Sequence, residues 1–225
     1  AIRLMLALVL LNGWHTKQID YVMAYPQAPV ERQMFMAIPS GYTVKDGKPG
    51  VEYVFEVTRN IYGQVQAGRV WNQYVTTKLK GIGFTQSKWD PCVFWRNQVL
   101  YILYTDDSLI AGANQSEVDK VITLIKGTGL KITEEGTIDD FVGVHIHRTP
   151  EGTFELSQEN LINSILKDLH LDQESTTTKR TPAKVGQVLR AHEESPEHDG
   201  HFHYRSVIGK LNFLEKATRP DISYA

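Results

Sequence analysis

Cysteine is almost absent from this sequence of 225 residues, which contains only Cys92. A single cysteine excludes an internal disulfide and any zinc site built from several cysteines, and it fits a reducing compartment. Long apolar runs are also absent. The apolar start, residues 1–11, is too short to span a bilayer and lacks the basic start of a signal peptide. We therefore expect no membrane among the partners of this chain.

Positive charge is not in excess either. The 24 lysines and arginines face 26 aspartates and glutamates, so the formal net charge is -2. Proteins that bind nucleic acids usually carry a basic face, and this balance argues mildly against such a partner. An initiator methionine is also missing, so we expect the chain to be a piece of a longer protein. Hydrophobic residues make up 41% of the sequence, which is enough for a sizeable buried core.

Strands and helices follow one another in no regular order, and this pattern favours an α+β fold over a doubly wound sheet. Apolar periodicity predicts helices over residues 2–11, 67–81, 117–126, 158–169 and 204–217. It predicts strands over residues 15–23, 34–38, 51–57, 93–95, 99–104, 108–111, 132–134, 141–148 and 153–156. Ser116 is the expected N-cap of the third helix. After a boundary near residue 150 the tail is mostly helical, with a polar loop over 174–200.

Two adjacent carboxylates, Asp106 and Asp107, separate two apolar strands and must lie in the turn between them. Aspartate is a common turn former, so this pair alone indicates a hairpin and no chemistry. Asp20 changes that interpretation, because it lies inside a predicted strand, where aspartate is rare. A half-buried carboxylate needs a compensating partner, since burial of an unpaired charge is expensive, and a divalent cation is one such partner.

Mg²⁺ prefers oxygen ligands, and two such ions about 3.5–4 Å apart stabilise the attacking and leaving oxygens of a phosphoryl displacement. A strand aspartate beside an aspartate pair in a neighbouring hairpin is the ligand set that this chemistry requires. The sequence therefore predicts a two-metal site at Asp20, Asp106 and Asp107. Tyr25 follows shortly after Asp20 and would contact the sugar of a bound nucleotide, although core packing beside Pro26 is the simpler explanation.

The segments around these carboxylates are Gln-Ile-Asp-Tyr-Val-Met-Ala-Tyr at residues 18–25 and Tyr-Thr-Asp-Asp at 104–107. The first resembles the first catalytic motif of copia/Ty retrotransposon reverse transcriptases, and the second stands where that family has Tyr-Val-Asp-Asp. The other similar segments follow the family's order at residues 60–71 (Asn-Ile-Tyr-Gly-Gln-Val-Gln-Ala-Gly-Arg-Val-Trp), 90–94 (Asp-Pro-Cys-Val-Phe), 141–143, 156–158, 204–209 and 218–225. No single match is decisive, but the ordered set covers nearly the whole chain and is highly specific.

The resemblance implies a right-hand polymerase, with a palm and partial fingers over residues 1–150 and a mostly helical thumb with the start of the connection region over 151–225. It implies DNA synthesis from deoxynucleoside triphosphates on an RNA or DNA template with a primer. The two ions would be Mg²⁺, with Mn²⁺ as a substitute, held by Asp20, Asp106, Asp107 and the backbone carbonyl of Tyr21. The nucleotide would contact Tyr25, Tyr62, Gly63 and Gln66. The primer end would be positioned by Tyr104, Thr105, Phe141, Val142 and Gly143.

The resemblance also implies integrase and ribonuclease H segments in the same polyprotein, and a cytoplasmic virus-like particle as the location, with a nuclear phase allowed. The chain departs from the family pattern where Met23 and Val65 replace lysines and Gly68 replaces a proline. The family's basic fingers segment precedes the first motif, and this chain starts almost at that motif, so we expect little or no polymerisation by this chain alone. The alternative is a weak, inactive or co-opted element that keeps the fold as a nucleic-acid-binding module. A nucleotide cyclase is a weaker third hypothesis.

Other polar clusters have simpler explanations. His145 and His147 share one strand face, but no third metal ligand is evident beside them, so solvated or pairing histidines are the better interpretation. Ordinary loop composition explains a second set, His198, Asp199, His201 and His203. We expect a solvated acidic stretch at Glu134, Glu135, Asp139 and Asp140. All four tryptophans, Trp14, Trp71, Trp89 and Trp95, are expected in the core and not as base-stacking platforms.

Overall fold

The computed structural model describes residues 1–172 and 200–223. The chain forms two compact units, Ala1–Ile138 and Asp139–Ala225. The division falls before the boundary predicted near residue 150, because the strands that follow Ile138 pair with one another into a sheet of their own. The mixture of helices and antiparallel sheets confirms the α+β prediction, while the assignment of palm, fingers and thumb stays a prediction.

The first unit contains eight strands: β1 (His15–Tyr21), β2 (Phe35–Ala37), β3 (Val54–Glu56), β4 (Thr85–Gln86), β5 (Val93–Arg96), β6 (Val99–Tyr104), β7 (Asp107–Gly112) and β8 (Ile132–Gly136). Six of them form an antiparallel sheet with the order β4-β5-β6-β7-β1-β8. The other two, β2 and β3, form a separate antiparallel pair. The strands at the centre of the large sheet, β7 and β1, therefore come from distant parts of the sequence.

Four helices belong to this unit: α1 (Ile2–Asn12), α2 (Ala24–Gln27), α3 (Ala67–Gly81) and α4 (Gln115–Gly127). α3 and α4 carry apolar residues at helical spacing, which gives each of them one apolar face. These faces form a single buried cluster with the sheet, and the members from α3 and α4 are Val70, Trp71, Val75, Leu79, Val118, Val121, Ile122 and Ile125. The core prediction is confirmed for Trp71 and wrong for Trp89 and Trp95, which are 97% and 42% exposed. α1 contacts β7, and its own buried residues, Met5, Leu6 and Val9, lie outside that cluster.

A chain of three buried hydroxyl groups crosses the centre of the sheet. The Tyr21 and Tyr101 hydroxyl oxygens lie 2.7 Å apart, and the Tyr101 hydroxyl donates to Ser108 Oγ at 2.7 Å. Burial raises the pKa of the Tyr101 phenol well above its ordinary value, so it stays protonated and can donate. These bonds satisfy polar groups that water does not reach, and they link β1, β6 and β7 through their side chains.

The second unit begins with three antiparallel strands, β9 (Asp140–Phe141), β10 (Val144–Arg148) and β11 (Phe154–Ser157), with β10 in the middle. Among the described residues of this unit two helices follow, α5 (Glu159–Asp168) and α6 (Tyr204–Ala217), and a short 3-10 helix, Pro220–Ile222, comes after them. The ammonium group of Lys210 on α6 donates to Ser164 Oγ at 2.7 Å and to Asp168 Oδ2 at 2.6 Å, both on α5. This pair of bonds joins the two helices.

Element bounds follow the sequence predictions closely, and α3 and α6 match them at both ends. The strand predicted over 15–23 ends earlier, because Met23 adopts a left-handed φ of 50° and precedes α2. The helix predicted over 117–126 begins directly after Asn114, so Ser116 lies inside it and is not its cap. The strand predicted over 141–148 is interrupted by a turn at residues 142–143 and becomes β9 and β10.

The polar loop predicted over 174–200 lies outside the described residues except for its last member, and with it lie His198 and Asp199. Of the remaining histidines in that set, His203 precedes α6, and its ring Nδ1 accepts from the Ser206 N–H at 3.2 Å. No helix in residues 1–172 or 200–223 is long and apolar enough to cross a membrane.

The hydroxyl chain leads to a prediction about stability. Tyr101→Phe removes the central hydroxyl and leaves Tyr21 and Ser108 each short of a buried partner. We expect the free energy of unfolding to fall by about 1–3 kcal/mol, the usual cost of leaving buried polar groups unpaired. Urea denaturation followed by circular dichroism measures the loss. Tyr42→Phe, at an exposed ring, is the matched control and should cost less than about 0.5 kcal/mol. Equal losses in the two variants would contradict the prediction.

Candidate active site

The sheet register brings two of the three predicted metal ligands directly opposite each other. In the β1–β7 pairing Asp20 faces Asp107, and in the β6–β7 pairing Tyr104 faces Asp107. Directly opposite residues of an antiparallel pair project from the same face of the sheet. Tyr104, Asp107 and Asp20 therefore form a row across three strands. Because side chains alternate along a strand, this row lies on the face opposite to the buried Ile19 and Tyr21.

Asp106 lies beside this row, in the β6–β7 turn that joins the two paired strands. The other turn residue, Thr105, has φ 54°, a conformation that costs a β-branched residue about 1–3 kcal/mol. Two hydrogen bonds hold the turn carbonyls. The Trp71 indole Nε1 donates to Thr105 O at 2.6 Å, and the Tyr21 N–H donates to Asp106 O at 2.8 Å. The β6–β7 turn is therefore held both from α3 and from β1.

The carboxylates of this site crowd together without a cationic partner. Burial raises the pKa of Asp20 above its ordinary value, and the charges of Asp106 and Glu135 raise it further. Burial also raises the pKa of Asp107, followed by the charges of Asp106, Glu135 and Asp20. In the described part of the chain, no lysine or arginine forms an ion pair with any of the three aspartates. Within residues 1–172 and 200–223, no ion pair therefore offsets their negative charge.

Glu135 is a fourth carboxylate at this site. The β1–β8 register shifts between Gln18, which faces Gly136, and Ile19, which faces Glu134, so Glu135 is left without a partner strand residue. This β-bulge brings Glu135 to Gln18, whose Nε2 donates to Glu135 Oε2 at 2.6 Å. The sequence prediction of a solvated acidic stretch missed this contact. The only local signal for the bulge is Gly136, which has a left-handed φ of 96°.

The donor set fits divalent cations that prefer oxygen. Mg²⁺ and Mn²⁺ bind carboxylates and backbone carbonyls, and all the candidate donors here are of these types. Asp20, Asp106 and Asp107 would hold such ions, whose charge would offset the repulsion that raises two of their pKa values. Their ligand oxygens do not all lie within 4.8 Å of one another. The backbone carbonyl of Tyr21 stays a predicted ligand.

The residues predicted to contact a nucleotide lie partly at this site. The Tyr25 and Tyr62 rings pack with their centroids 4.7 Å apart and their planes at 36°. Burial raises the pKa of Tyr62, and the charges of the nearby carboxylates raise it further, so this ring lies beside them. Gly63 has φ 95°, a conformation that favours glycine and turns the chain after Tyr62. Gln66, just before α3, donates through Nε2 to Met34 Sδ at 3.5 Å instead of reaching toward the carboxylates.

The predicted primer-positioning residues fall in both units. Tyr104 and Thr105 belong to the β6–β7 hairpin of the first unit, where Tyr104 is half exposed. In the second unit Phe141 ends β9, and residues 142–143 form the turn to β10 with φ 53° and 70°. Gly143 O accepts from Gln158 Nε2 at 3.3 Å, which ties this turn to the start of α5. A role for either set in holding a primer stays a prediction.

A different cluster of metal-binding side chains lies in the second unit. Ligand atoms of Asp139, Asp140 and His145 all lie within 4.8 Å of one another, and His145 Nδ1 is 3.4 Å from Asp140 Oδ2. The sequence suggested no third ligand for His145 and His147, but the structure brings two carboxylates to His145. Exposed acidic groups are common without a metal, and an ion pair with a protonated His145 explains these contacts equally well.

The raised pKa values lead to a prediction about pH. A carboxyl whose pKa is higher in the folded than in the unfolded chain favours folding below its unfolded pKa and loses that contribution as pH rises through its folded pKa. At neutral pH the Asp107 charge therefore lowers stability. Asp107→Asn should raise the unfolding midpoint in metal-free buffer by about 1–3 °C, a modest gain because solvent screens this partly exposed group.

The gain should disappear near about pH 3, where the wild-type carboxyl is largely protonated. Thermal unfolding measured by differential scanning fluorimetry across this pH range checks both parts. Glu52→Gln, at an exposed loop position, is the control for simple loss of a negative charge. An Asp107→Asn protein that is less stable than the wild type at neutral pH would show that repulsion is not the dominant effect.

Comparison with known proteins gives consistent results. Residues 1–184 match the family described as reverse transcriptase (RNA-dependent DNA polymerase). The chain is 29% identical to the retrovirus-related Pol polyprotein from transposon RE2 of Arabidopsis thaliana, over 100% of this chain and 15% of that protein. It is 28% identical to a Ty5-1 transposon protein of Saccharomyces cerevisiae, over 92% of this chain and 66% of that protein. The Pol polyprotein from transposon TNT 1-94 of Nicotiana tabacum is 25% identical over 100% of this chain and 17% of its own length.

The chain thus spans a small part of the plant polyproteins and about two thirds of the yeast protein. The family match includes the whole first unit, and with it β1, the β6–β7 hairpin and α3. It covers far more than half of the chain and confirms the resemblance drawn from the sequence motifs. The chain therefore belongs to the reverse transcriptase (RNA-dependent DNA polymerase) family, as a domain of the copia/Ty retrotransposon type.

Proposed function

We propose that this chain is the RNA-directed DNA polymerase domain of a copia-type Pol polyprotein, and that it transfers nucleotides from dNTPs to a primer 3′ end with two metal ions. The observation that carries the proposal is the pairing of Asp20 with Asp107, with Asp106 in the adjacent turn. An oxygen-only ligand set with uncompensated negative charge suits Mg²⁺, which binds one or two carboxylates together with substrate phosphates.

The side chains have separate tasks in this proposal. Asp20 and Asp106 are the main metal ligands, and Asp107 is the third acidic member beside them. When bound, the ions stabilise the attacking oxygen of the primer and the leaving oxygen of the diphosphate. Tyr25, packed against Tyr62, limits the space beside the sugar and disfavours a 2′-hydroxyl. The protein thus contributes position and charge, and supplies no nucleophile of its own.

The remaining partners follow from the family. The substrates are an RNA or DNA template with its primer and dNTPs, and residues 141–143 in the second unit would hold the primer end. The two plant relatives are called Pol polyproteins and are several times longer than this chain. We therefore propose integrase and ribonuclease H segments in the same polyprotein. A cytoplasmic virus-like particle is the location that corresponds to this function.

A nucleic-acid-binding module with weak or no catalysis is the second candidate. Met23 and Val65 occupy positions where the family resemblance leads us to expect lysine, and both side chains are exposed. An exposed apolar side chain in place of a cation loses attraction to phosphates. None of these departures alters a carboxylate. The replaced lysines therefore affect how strongly the substrate binds, which is the basis of the second candidate. The unaltered carboxylates are the basis of the chemistry in the first candidate.

Metal binding tests the proposed chemistry. Asp106→Asn should lower Mn²⁺ affinity about 10-fold or more, because it removes a charged ligand, and should abolish primer extension. Isothermal titration calorimetry and a primer-extension assay measure the two effects. Asp46→Asn, at an exposed loop position of the first unit, is the matched control and should leave both unchanged. Unchanged Mn²⁺ affinity in Asp106→Asn would sink the two-metal proposal. Since little or no extension is expected from this chain alone, Mn²⁺ affinity is the deciding measurement, and wild-type protein that binds a primer–template duplex but no Mn²⁺ would favour the second candidate.

Restoring one cation tests the effect of the departures. Val65→Lys should tighten binding of a primer–template duplex about 3–10-fold at low salt and steepen the salt dependence by about 0.9, because one more phosphate is neutralised. Fluorescence anisotropy over a salt series measures both quantities. Leu11→Lys, at another exposed apolar position, is the control for a general effect of charge. Equal gains from the two variants would mean that Val65 does not lie near the nucleic acid.

A further inference from the structure

We propose that Trp71 is a positioning residue for the β6–β7 turn, a role that rests on the proposed polymerase function and deepens it. The Trp71 indole N–H donates to Thr105 O at 2.6 Å, so α3 holds the peptide that precedes Asp106. The ring itself is a core residue, as the sequence predicts, and is only 1% exposed. A buried indole N–H needs an acceptor, and here that acceptor is the turn carbonyl that precedes Asp106.

The β6–β7 turn needs outside support because its conformation does not suit its sequence. Thr105 has φ 54°, where a β-branched side chain crowds its own backbone. Glycine would adopt this φ without strain. With threonine in place, the direction of the Thr105 carbonyl depends on the group that binds it. That group is the Trp71 indole N–H, which can only donate a hydrogen bond and, within the buried cluster, donates it to this carbonyl.

α3 and β1 hold the two turn peptides from different sides. Trp71 binds the Thr105 carbonyl, and the Tyr21 N–H binds the Asp106 carbonyl at 2.8 Å. Trp71 and Tyr21 also contact each other edge to face, with ring centroids 5.1 Å apart and planes at 73°. Because Tyr21 directly follows Asp20, one small cluster supports both the strand aspartate and the turn aspartate. The Trp71 bond therefore helps to set how Asp106 faces Asp20.

The same helix also touches the nucleotide side of the site. A Cβ atom built on Gly68, one turn before Trp71, would lie 3.5 Å from the Tyr25 hydroxyl oxygen, so the first turn of α3 lies against that ring. Tyr25 in turn packs against Tyr62. One helix thus contacts the proposed sugar-facing ring of Tyr25 and, one turn later, the β6–β7 turn.

Trp71→Phe tests the hydrogen bond, because it keeps an aromatic ring in the core and removes the N–H. In the full chain we expect Mn²⁺ affinity to fall about 3–10-fold, the factor equivalent to one ordinary hydrogen bond, and kcat for any primer extension that the wild type supports to fall by the same factor. KM for dNTP should change less than about 2-fold. Trp95→Phe, at a partly exposed tryptophan of the same sheet, is the matched control and should change none of these. Wild-type Mn²⁺ affinity in folded Trp71→Phe would overturn the inference.

Thr105→Gly separates positioning from a loss of packing. Glycine accepts the positive φ without an outside partner, so in the Thr105→Gly background Trp71→Phe should lower Mn²⁺ affinity less than about 2-fold. Circular dichroism and the unfolding midpoint show that each variant is folded before metal is added. Additive losses in the double variant would overturn the positioning role, because the change of ring would then explain the whole effect.

Asp106→Asn, measured in the same titrations, distinguishes this inference from the function on which it rests. If the wild type binds Mn²⁺, Asp106→Asn does not, and Trp71→Phe binds as the wild type does, the positioning role is wrong and the polymerase proposal stands. If the wild type and Asp106→Asn bind alike, the polymerase proposal fails, and the positioning role fails with it.

Discussion

The antiparallel pairing of β1 with β7 is the contact on which the site depends. Its register puts Asp20 opposite Asp107. A slip of one residue would turn Asp20 to the other face of the sheet, where Ile19 and Tyr21 belong to the cluster formed with α3 and α4. Burial of those two side chains, together with the hydrogen bond between the Tyr21 and Tyr101 hydroxyl groups, therefore fixes this register from the opposite face of the sheet. The fixed register keeps the carboxylates in place.

Much of this arrangement could be predicted from the sequence because its parts are local. Asp106 and Asp107 interrupt an apolar run, which indicates a turn, and Asp20 stands inside a strand, which indicates a buried or compensated charge. Neither pattern alone shows that Asp20 and the Asp106–Asp107 turn lie together in the fold. That prediction came from the ordered family motifs. α3 and α6 could be predicted at both ends, because apolar residues at helical spacing mark one face of a helix directly.

The features that the sequence could not show depend on contacts between distant segments. Glu135 reaches the carboxylates through a β-bulge, and the bulge arises from the pairing of β8 with β1. Helical spacing predicts that the Trp71 ring is buried, but the direction of its N–H is decided by how α3 packs on the sheet. The boundary after Ile138 follows from strand pairing beyond it, whereas the change in composition that suggested residue 150 lies inside the second unit.

The hydroxyl chain of Tyr21, Tyr101 and Ser108 lies directly behind the carboxylates. Tyr21 follows Asp20 and Ser108 follows Asp107, so each of these aspartates is next to a link of the chain. Local opening of the sheet here would break the hydrogen bonds of three buried hydroxyl groups at once. We therefore expect β1, β6 and β7 to open together as one cooperative unit. Amide protons on these strands should therefore exchange with solvent last in the first unit. The mutually repelling carboxylates of the site thus lie on the strands of the first unit that we expect to open least often.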